Sequence, residues 1–396
     1  MNKKWIFLII LVVIIFIAGV VVYRIDMNRM ENNEPVLFST WGKDYSVKEE
    51  NKTDVLDNED QNTLTDVQTD AEENGLNVVL SLEDEISNNS VWCGTFNLVW
   101  NDLKNDVAKQ DIVFMPQLKV AENLNKGTFN TNYLSEESYY KIHGYAIKEL
   151  KEKIEKDIKE KFNEKSDILD SFEWPEEKGE QYFLYAMLKK EFEFPMVFSR
   201  LENGSFGEYN NVKYFGIDET TEEAVRDQVQ VLYYESKDNF AVKLTTKQND
   251  EVIISRGTKE NTYIDIYNEI MENAEKYNGS TYFTEEDILQ IPNINFDIKE
   301  NIDDFTGREF LYSDGTEHEI TQAMQTIQFE LNEKGGEIKS EAGMMVDKLA
   351  INTETEKREF IVDDTFTIFL KEKDKELPYF AATISDITQV QENANK

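Results

Sequence analysis

The sequence has few of the residues from which metal and nucleophilic sites are built: one cysteine and two histidines among 396 residues. A single thiol, Cys93, cannot form an internal disulfide framework, a four-thiolate zinc site or a ferredoxin-type cluster. His143 and His318 leave little material for a metalloenzyme or a Ser-His-Asp hydrolase. Phosphate-binding, dinucleotide-binding and nucleophile-elbow motifs are absent as well. We predict a protein that is not an enzyme, with no cofactor and no metal.

Basic residues are also scarce, because 42 lysines and arginines stand against 79 acidic residues, for a net charge of −37. A chain this acidic repels phosphate backbones, and no local basic patch offsets that repulsion, so we expect no nucleic-acid partner. Hydrophobic residues make up 40% and aromatic residues 12% of the chain. Those fractions suffice for a packed core and exclude global disorder.

One long apolar run lies at the N-terminus. Residues 5–23 contain no charge, and at about 1.5 Å per residue they are long enough to cross a bilayer as a helix. We predict that this run is an uncleaved signal anchor and that residues 1–4 form a short cytoplasmic end. The protein would then cross the membrane once, with its body outside a bacterial cell. A cleaved signal peptide is the alternative, although Ala18, Gly19 and Val20 form a poor cleavage site.

Residues 24–75 read as an acidic, extended linker. Ten acidic residues and one base lie between positions 49 and 75, with only scattered apolar residues. Such a segment repels itself and cannot bury a core. The folded body is predicted over residues 76–387, followed by a C-terminal tail, residues 388–396.

Helical and strand patterns alternate in the body. Apolar residues at helical spacing predict three helices: one from Val91 to Leu103, one from about Glu136 with its stripe at Ile147, Leu150, Ile154 and Ile158, and one from Tyr263 to Tyr277. Alternating apolar residues predict strands over 228–244 (two, with a turn at 237–239), 290–299, 323–331, 360–370 and 377–387. Helices in the first half and antiparallel strands in the second indicate a single large α+β domain.

The C-terminal half resembles the serpins, the serine protease inhibitor superfamily. Residues 319–337 (EITQAMQTIQFELNEKGGE) are similar to the serpin strand and hinge that end in Asn-Glu-Glu-Gly-Thr-Glu. FIVDDTFTIFL (360–370) and LPYFAATISDI (377–387) occupy the places of the strands that follow the reactive loop, and Phe192-Glu-Phe-Pro195 stands where the family has Trp-x-x-Pro-Phe. The resemblance covers residues 180–387 and rests on order and spacing. Gln325 replaces an expected histidine, and the N-terminal half matches poorly.

The resemblance implies a reactive loop at about 335–359 that a protease cuts and that then inserts into a β-sheet as a new strand. The cut would fall near Leu349 and Ala350, and the hinge would comprise Gly335, Gly336, Glu337, Ile338, Lys339, Ser340, Glu341 and Ala342. An inserted strand needs one buried and one exposed face. Alternate residues from Gly336 to Val346 are small or apolar, and those between them are largely charged. However, Ile338, Lys339 and Glu341 replace the small residues of inhibitory serpins, so a loop that never inserts is the alternative.

Two classes of function stay open at this point. The first is a membrane-tethered suicide inhibitor of a serine or cysteine protease. The second is a non-inhibitory cell-surface binding or scaffolding protein of the same fold. The oligomeric state does not follow from the sequence.

Overall fold

The computed structural model describes residues 75–336 and 357–396. The predicted membrane segment 5–23, the short end before it and nearly all of the predicted linker lie outside these residues. Within the two described ranges, no helix is long and apolar enough to cross a membrane.

Strands dominate the described residues. In chain order they are β1 (Asn77–Val78), β2 (Ser90–Cys93), β3 (Tyr139–Tyr145), β4 (Tyr182–Leu188), β5 (Phe192–Glu193), β6 (Ser199–Arg200), β7 (Gly204–Phe206), β8 (Tyr209–Val212), β9 (Tyr214–Ile217), β10 (Val229–Ser236), β11 (Asn239–Thr245), β12 (Asp250–Arg256), β13 (Ile288–Pro292), β14 (Ile294–Asn301), β15 (Arg308–Leu311), β16 (Glu317–Ile320), β17 (Met324–Leu331), β18 (Gly335–Gly336), β19 (Glu359–Ile361), β20 (Phe366–Glu372) and β21 (Phe380–Ile384). The α-helices are α1 (Thr95–Asp102), α2 (Lys119–Asn125), α3 (Lys148–Phe162), α4 (Glu223–Arg226) and α5 (Tyr263–Lys276), and a π-helical turn, Leu103–Ala108, continues α1.

The largest sheet has seven strands in the order β1-β2-β21-β20-β12-β11-β10. Its ladders are antiparallel except for β1–β2, and the β12–β20 ladder runs without interruption from Asp250–Glu372 to Arg256–Phe366. Every residue of β2, β20 and β21 is buried. Apolar residues on both sides of these strands explain why they read as continuous apolar runs rather than as alternating ones.

Helix α5 covers part of this sheet. Thr262 caps its start, because its Oγ1 accepts a hydrogen bond from the Asp265 amide at 3.2 Å. Tyr263 and Tyr267 pack edge-on against Phe369 of β20. The predicted helix over 263–277 is thereby confirmed to within one residue.

A second sheet has the order β19-β13-β9-β6, and five further pairs are β3–β4, β5–β18, β7–β8, β14–β17 and β15–β16. Helix α3 lies against β4, where Ile154 and Ile158 of the helix share a buried cluster with Phe183 and Tyr185. At the C-terminus Val390 is buried and the backbone of Asn395 bonds that of Asn210.

Several predicted elements have different bounds. Val91 and Trp92 belong to β2, and α1 begins only at Thr95, because the strand leads directly into the helix and preserves the apolar spacing. The segment from Tyr139 to Tyr145 is a strand rather than the start of a helix. Each of the predicted strands 290–299 and 360–370 is two strands, in different sheets.

The α+β class is confirmed, but the division into a helical first half and a β-sheet second half is wrong. β2, β3 and β4 all precede residue 190, and α5 lies in the second half. The chain is sheet-rich with few helices.

Candidate functional site

A slot separates the pair β3–β4 from the pair β14–β17. Within the described residues, β4 pairs only with β3 and β17 only with β14, so each has one edge without a neighbouring strand. The slot is a cavity of about 820 Å³, lined on one side by residues 180–192 and on the other by residues 319–330. Two open strand edges that face each other are a template for one further strand.

The floor of the slot is apolar. Phe96, Val99 and Trp100 of α1 line it, together with Phe380 of the seven-stranded sheet. On β4, alternate residues that line the slot, Leu184, Ala186 and Leu188, are only half-buried. No strand of the described residues pairs with β4 on its slot edge, so a strand in the slot would bury more of the apolar surface of these three side chains.

The hinge predicted at Gly335 and Gly336 lies at one end of the slot. The chain leaves β17, and Asn332 and Gly335 exchange backbone hydrogen bonds at 3.0 and 3.1 Å. Gly335 and Gly336 then pair with Glu193 and Phe192 of β5. Gly335 has φ +128°, and a Cβ there would lie 2.3 Å from the Phe192 carbonyl oxygen, so only glycine fits this approach.

The first hinge residues therefore already lie between β5 and β17. A Cβ added at Gly336 would lie 3.0 Å from the Glu330 carbonyl oxygen of β17. Glu333, in the turn before the hinge, is buried and accepts from Arg200 Nε at 2.7 Å. The remaining hinge residues, Glu337 to Ala342, and the predicted cut at Leu349 and Ala350 lie outside the described residues.

The chain re-enters the described residues at a buried ion pair. The Arg358 guanidinium donates to both carboxylate oxygens of Asp287, at 3.1 and 2.7 Å, and to the Ser280 and Tyr282 carbonyls. The Asp287 side chain is 0% exposed. This pair positions β19, which follows at once and pairs parallel with β13. The pair was not predictable from the sequence, because a lone Arg and Asp 71 residues apart give no local signal.

Gln325, the residue in place of an expected histidine, lies on the slot side of β17. Its Nε2 donates to the Cys93 carbonyl at 3.1 Å and to Thr95 Oγ1 at 2.8 Å, and so ties β17 to the start of α1. Its Oε1 is buried with no hydrogen-bond partner among the described residues. A buried acceptor without a donor is unfavourable by about 1–3 kcal/mol.

A buried ionic network borders the slot next to β5. Lys190, beyond the end of β4, contacts Asp250 at 3.0 Å and Glu372 at 2.8 Å. Burial raises the pKa of Asp250, and the Lys190 ammonium and Tyr379 hydroxyl offset this only in part. For Glu372, burial also acts upward, but Lys190 and the Ser135 amide outweigh it and lower the pKa. These groups are dispersed along the chain, so no local sequence pattern predicts the network.

The order β17, hinge, β19, β20 and β21 is the order that the resemblance predicted. No protein-family model and no curated protein matches the sequence. The structure is similar to solved structures of serpins.

One is Serpin48, a highly specific serpin of the insect Tenebrio molitor, at 14% identity, over 65% of this chain and 78% of that one, with a TM-score of 0.37. Another is thyroxine-binding globulin in complex with thyroxine, at 10% identity, over 75% and 92% of the two chains, with a TM-score of 0.42. Human glycosylated kallistatin matches at 13% identity, over 69% and 71%, with a TM-score of 0.37.

Proposed function

We propose that this protein is a suicide inhibitor of a serine or cysteine protease, in which the cut loop inserts into the slot as a strand between β4 and β17. The observation that carries the proposal is the hinge geometry. Gly335 and Gly336 enter one end of a slot with two open strand edges, and the segment that follows them has the period of a strand.

The covalent step would follow ordinary acyl transfer. The protease Ser Oγ or Cys Sγ bonds to the Leu349 carbonyl carbon, the bond to the Ala350 nitrogen breaks, and that nitrogen leaves with a proton as a new amine. The acyl-enzyme is then carried along as residues 337–348 enter the slot. Inhibition requires insertion to be faster than attack by water on the acyl bond.

Insertion would be driven by the open edges. Each new strand residue gives backbone hydrogen bonds to β4 or β17, worth about 0.5–1.5 kcal/mol each. The small or apolar set Gly336, Ser340, Ala342 would face the floor made by α1, and the charged set Glu337, Lys339, Glu341 would face outward. Ile338, a β-branched residue on the inner face, is the member most expected to slow entry.

The second candidate function is a surface binding protein whose loop does not insert. Lys339 and Glu341 favour it, because inhibitory serpins have small residues in this stretch. The two functions differ in one measurable property: only an inserting loop stabilises the protein once it is cut.

We also propose that residues 5–23 anchor the chain in a membrane and that the acidic residues 24–75 hold the body away from it, outside the cell. The charge-free length of the run supports this location. Protease accessibility of the body on intact cells, with and without detergent, tests it. A body protected until the cells are lysed would refute an external location.

The test of insertion is thermal unfolding of the full chain before and after a single cut near Leu349 by an elastase- or chymotrypsin-like protease. We expect a rise in Tm of about 10 °C or more, because a completed strand adds several kcal/mol. The matched control is Ser340→Pro, which is cut at the same bond but removes a ladder N–H and obstructs the strand. An unchanged or lower Tm of the cut wild-type chain would refute insertion and leave the binding function.

A further inference from the structure

A cluster of metal-ligating side chains lies at the junction of α1, the π-helical turn and β3, apart from the slot hinge. Asp102 ends α1, Asp106 lies in the π-helical turn, and His143 lies on β3. One ligand atom from each of the three lies within 4.8 Å of the other two. Asp102 is buried, His143 is half-buried and Asp106 is exposed. The site thus has a buried side and an open side by which an ion enters.

The imidazole of His143 is held by a neighbouring hydroxyl. His143 Nδ1 lies 2.9 Å from Tyr182 Oη, on the adjacent strand β4. Ligating histidines ordinarily use one ring nitrogen for the metal and bond a neighbouring group with the other, which fixes the tautomer and the ring plane. With Nδ1–H donated to the Tyr182 oxygen, Nε2 is left as the acceptor for a metal.

The cluster already attracts a cation. The Lys141 ammonium forms an ion pair with Asp102 Oδ1. Because Asp102 is nearly inaccessible, its carboxylate requires a positive partner. Lys141 meets this requirement with a flexible side chain that is one-third exposed, so it can swing outward when an ion binds.

We propose that Asp102, Asp106 and His143 form a Zn²⁺ site. One imidazole nitrogen and two carboxylate oxygens are a donor set that Zn²⁺ accepts, at about 2.0–2.2 Å, with water in the fourth position. Tetrahedral donors at those lengths are about 3.4 Å apart, so the separations between the three ligand atoms need to shorten by up to about 1.4 Å. A bound ion would tie the end of α1 to β3, next to the strand that borders the slot.

Local sequence patterns contain little indication of this site. Asp102 and Asp106 are four residues apart, which places them on one face of a helical turn, but His143 comes from a strand nearly forty residues later. Two histidines in the whole chain also do not suggest a metal centre.

Zn²⁺ binding to the full chain, kept in solution with a mild detergent, tests the proposal by competition with a chromogenic chelator. We expect His143→Ala to weaken the tightest site at least about 10-fold, and Tyr182→Phe to weaken it less. His318→Ala, the matched control at the other histidine, should leave affinity unchanged. Lys141→Met should strengthen binding, because it removes the competing ammonium from Asp102.

Co²⁺ provides an independent readout, since a tetrahedral or five-coordinate site with nitrogen and oxygen ligands gives visible absorption that vanishes in His143→Ala. Circular dichroism of each variant establishes that it is folded. The proposal is overturned if the tightest Zn²⁺ site survives His143→Ala in a folded variant. It is equally overturned if His318→Ala weakens the site as much, which would mean that ions associate with the acidic surface in general.

Discussion

The seven-stranded sheet and the slot are built from similar apolar strands but differ in how their edges are used. In the seven-stranded sheet, β11, β12, β20 and β21 each have a partner on both sides. At the slot, β4 and β17 each have one partner and one open edge. We therefore expect the seven-stranded sheet to contribute more to the stability of the fold, while the slot between β4 and β17 leaves room for an additional strand.

The largest effect is expected at the buried ion pair that ends the loop. Asp287→Ala leaves the Arg358 guanidinium buried without its carboxylate, and we expect a loss of about 3–5 kcal/mol in the free energy of unfolding. Lys357→Ala is the matched control, because the neighbouring Lys357–Glu219 pair is largely exposed at 3.7 Å, and little change is expected. Urea unfolding followed by tryptophan fluorescence measures both. Equal effects would mean that Arg358 does not anchor β19.

A pair of leucines compares the two regions directly. Leu244 of β11 is 0% exposed, whereas Leu184 of β4 is half-buried beside the slot. We expect Leu244→Ala to lower the free energy of unfolding by about 3–4 kcal/mol and Leu184→Ala by about 1 kcal/mol. Urea unfolding followed by tryptophan fluorescence measures both losses. Similar losses for the two variants would contradict the contrast between closed sheet and slot.

The hinge is tested with a glycine. Gly335→Ala places a Cβ against the Phe192 carbonyl at positive φ. We therefore expect a loss of about 1–3 kcal/mol in the free energy of unfolding and a slower rise in Tm after the loop is cut. The control is Gly307, which has φ +73° and no atom within 4 Å of an added Cβ. Gly307→Ala therefore introduces backbone strain without a clash. A loss of about 1 kcal/mol is expected there, with no change after cutting. Calorimetry before and after proteolysis separates the two effects.

The smallest effect is a pH dependence at the ionic network. The pKa of Glu372 is lowered from 4.5, so the unfolded chain binds the proton more readily. The stabilisation of the folded state by the Glu372 carboxylate is present above pH 4.5 and is lost as the pH falls through the lower, folded-state pKa. In Glu372→Gln the free energy of unfolding should vary less with pH between about pH 5 and about pH 3. Glu376→Gln, on an exposed turn, should keep the wild-type dependence, and a parallel change there would point to general surface charge.

Sequence patterns predicted much of the fold because local periodicity reflects burial. The hairpin β10–β11 and helix α5 lie close to their predicted positions, since Val229, Val231 and Tyr233 alternate and Tyr263, Ile266 and Ile270 recur every three to four residues. The predicted bounds are wrong where one apolar run is divided between two secondary-structure elements. Trp92 and Phe96 have helical spacing, yet a strand ends at Cys93 and a helix begins at Thr95.

The site was predictable only in part. The resemblance of residues 319–337 to the serpin strand and hinge placed the start of the hinge at Gly335 and Gly336, and the structure puts these residues beside the slot. The slot itself depends on which strands fail to pair, and no local pattern records a missing partner. Likewise Asp287, Arg358 and Lys190 act through contacts between distant residues, which single-sequence analysis does not detect.

The open edges of β4 and β17 have a consequence for how copies of this protein meet. An exposed pair of edges is a hazard for aggregation, because a strand from a second copy is as good a partner as the protein's own loop. The net charge of −37 opposes such encounters, since two acidic surfaces repel at distances up to a Debye length, about 10 Å at 0.1 M salt. The strong acidity is thus a safeguard for a sheet left incomplete, and one that concentrated salt would weaken.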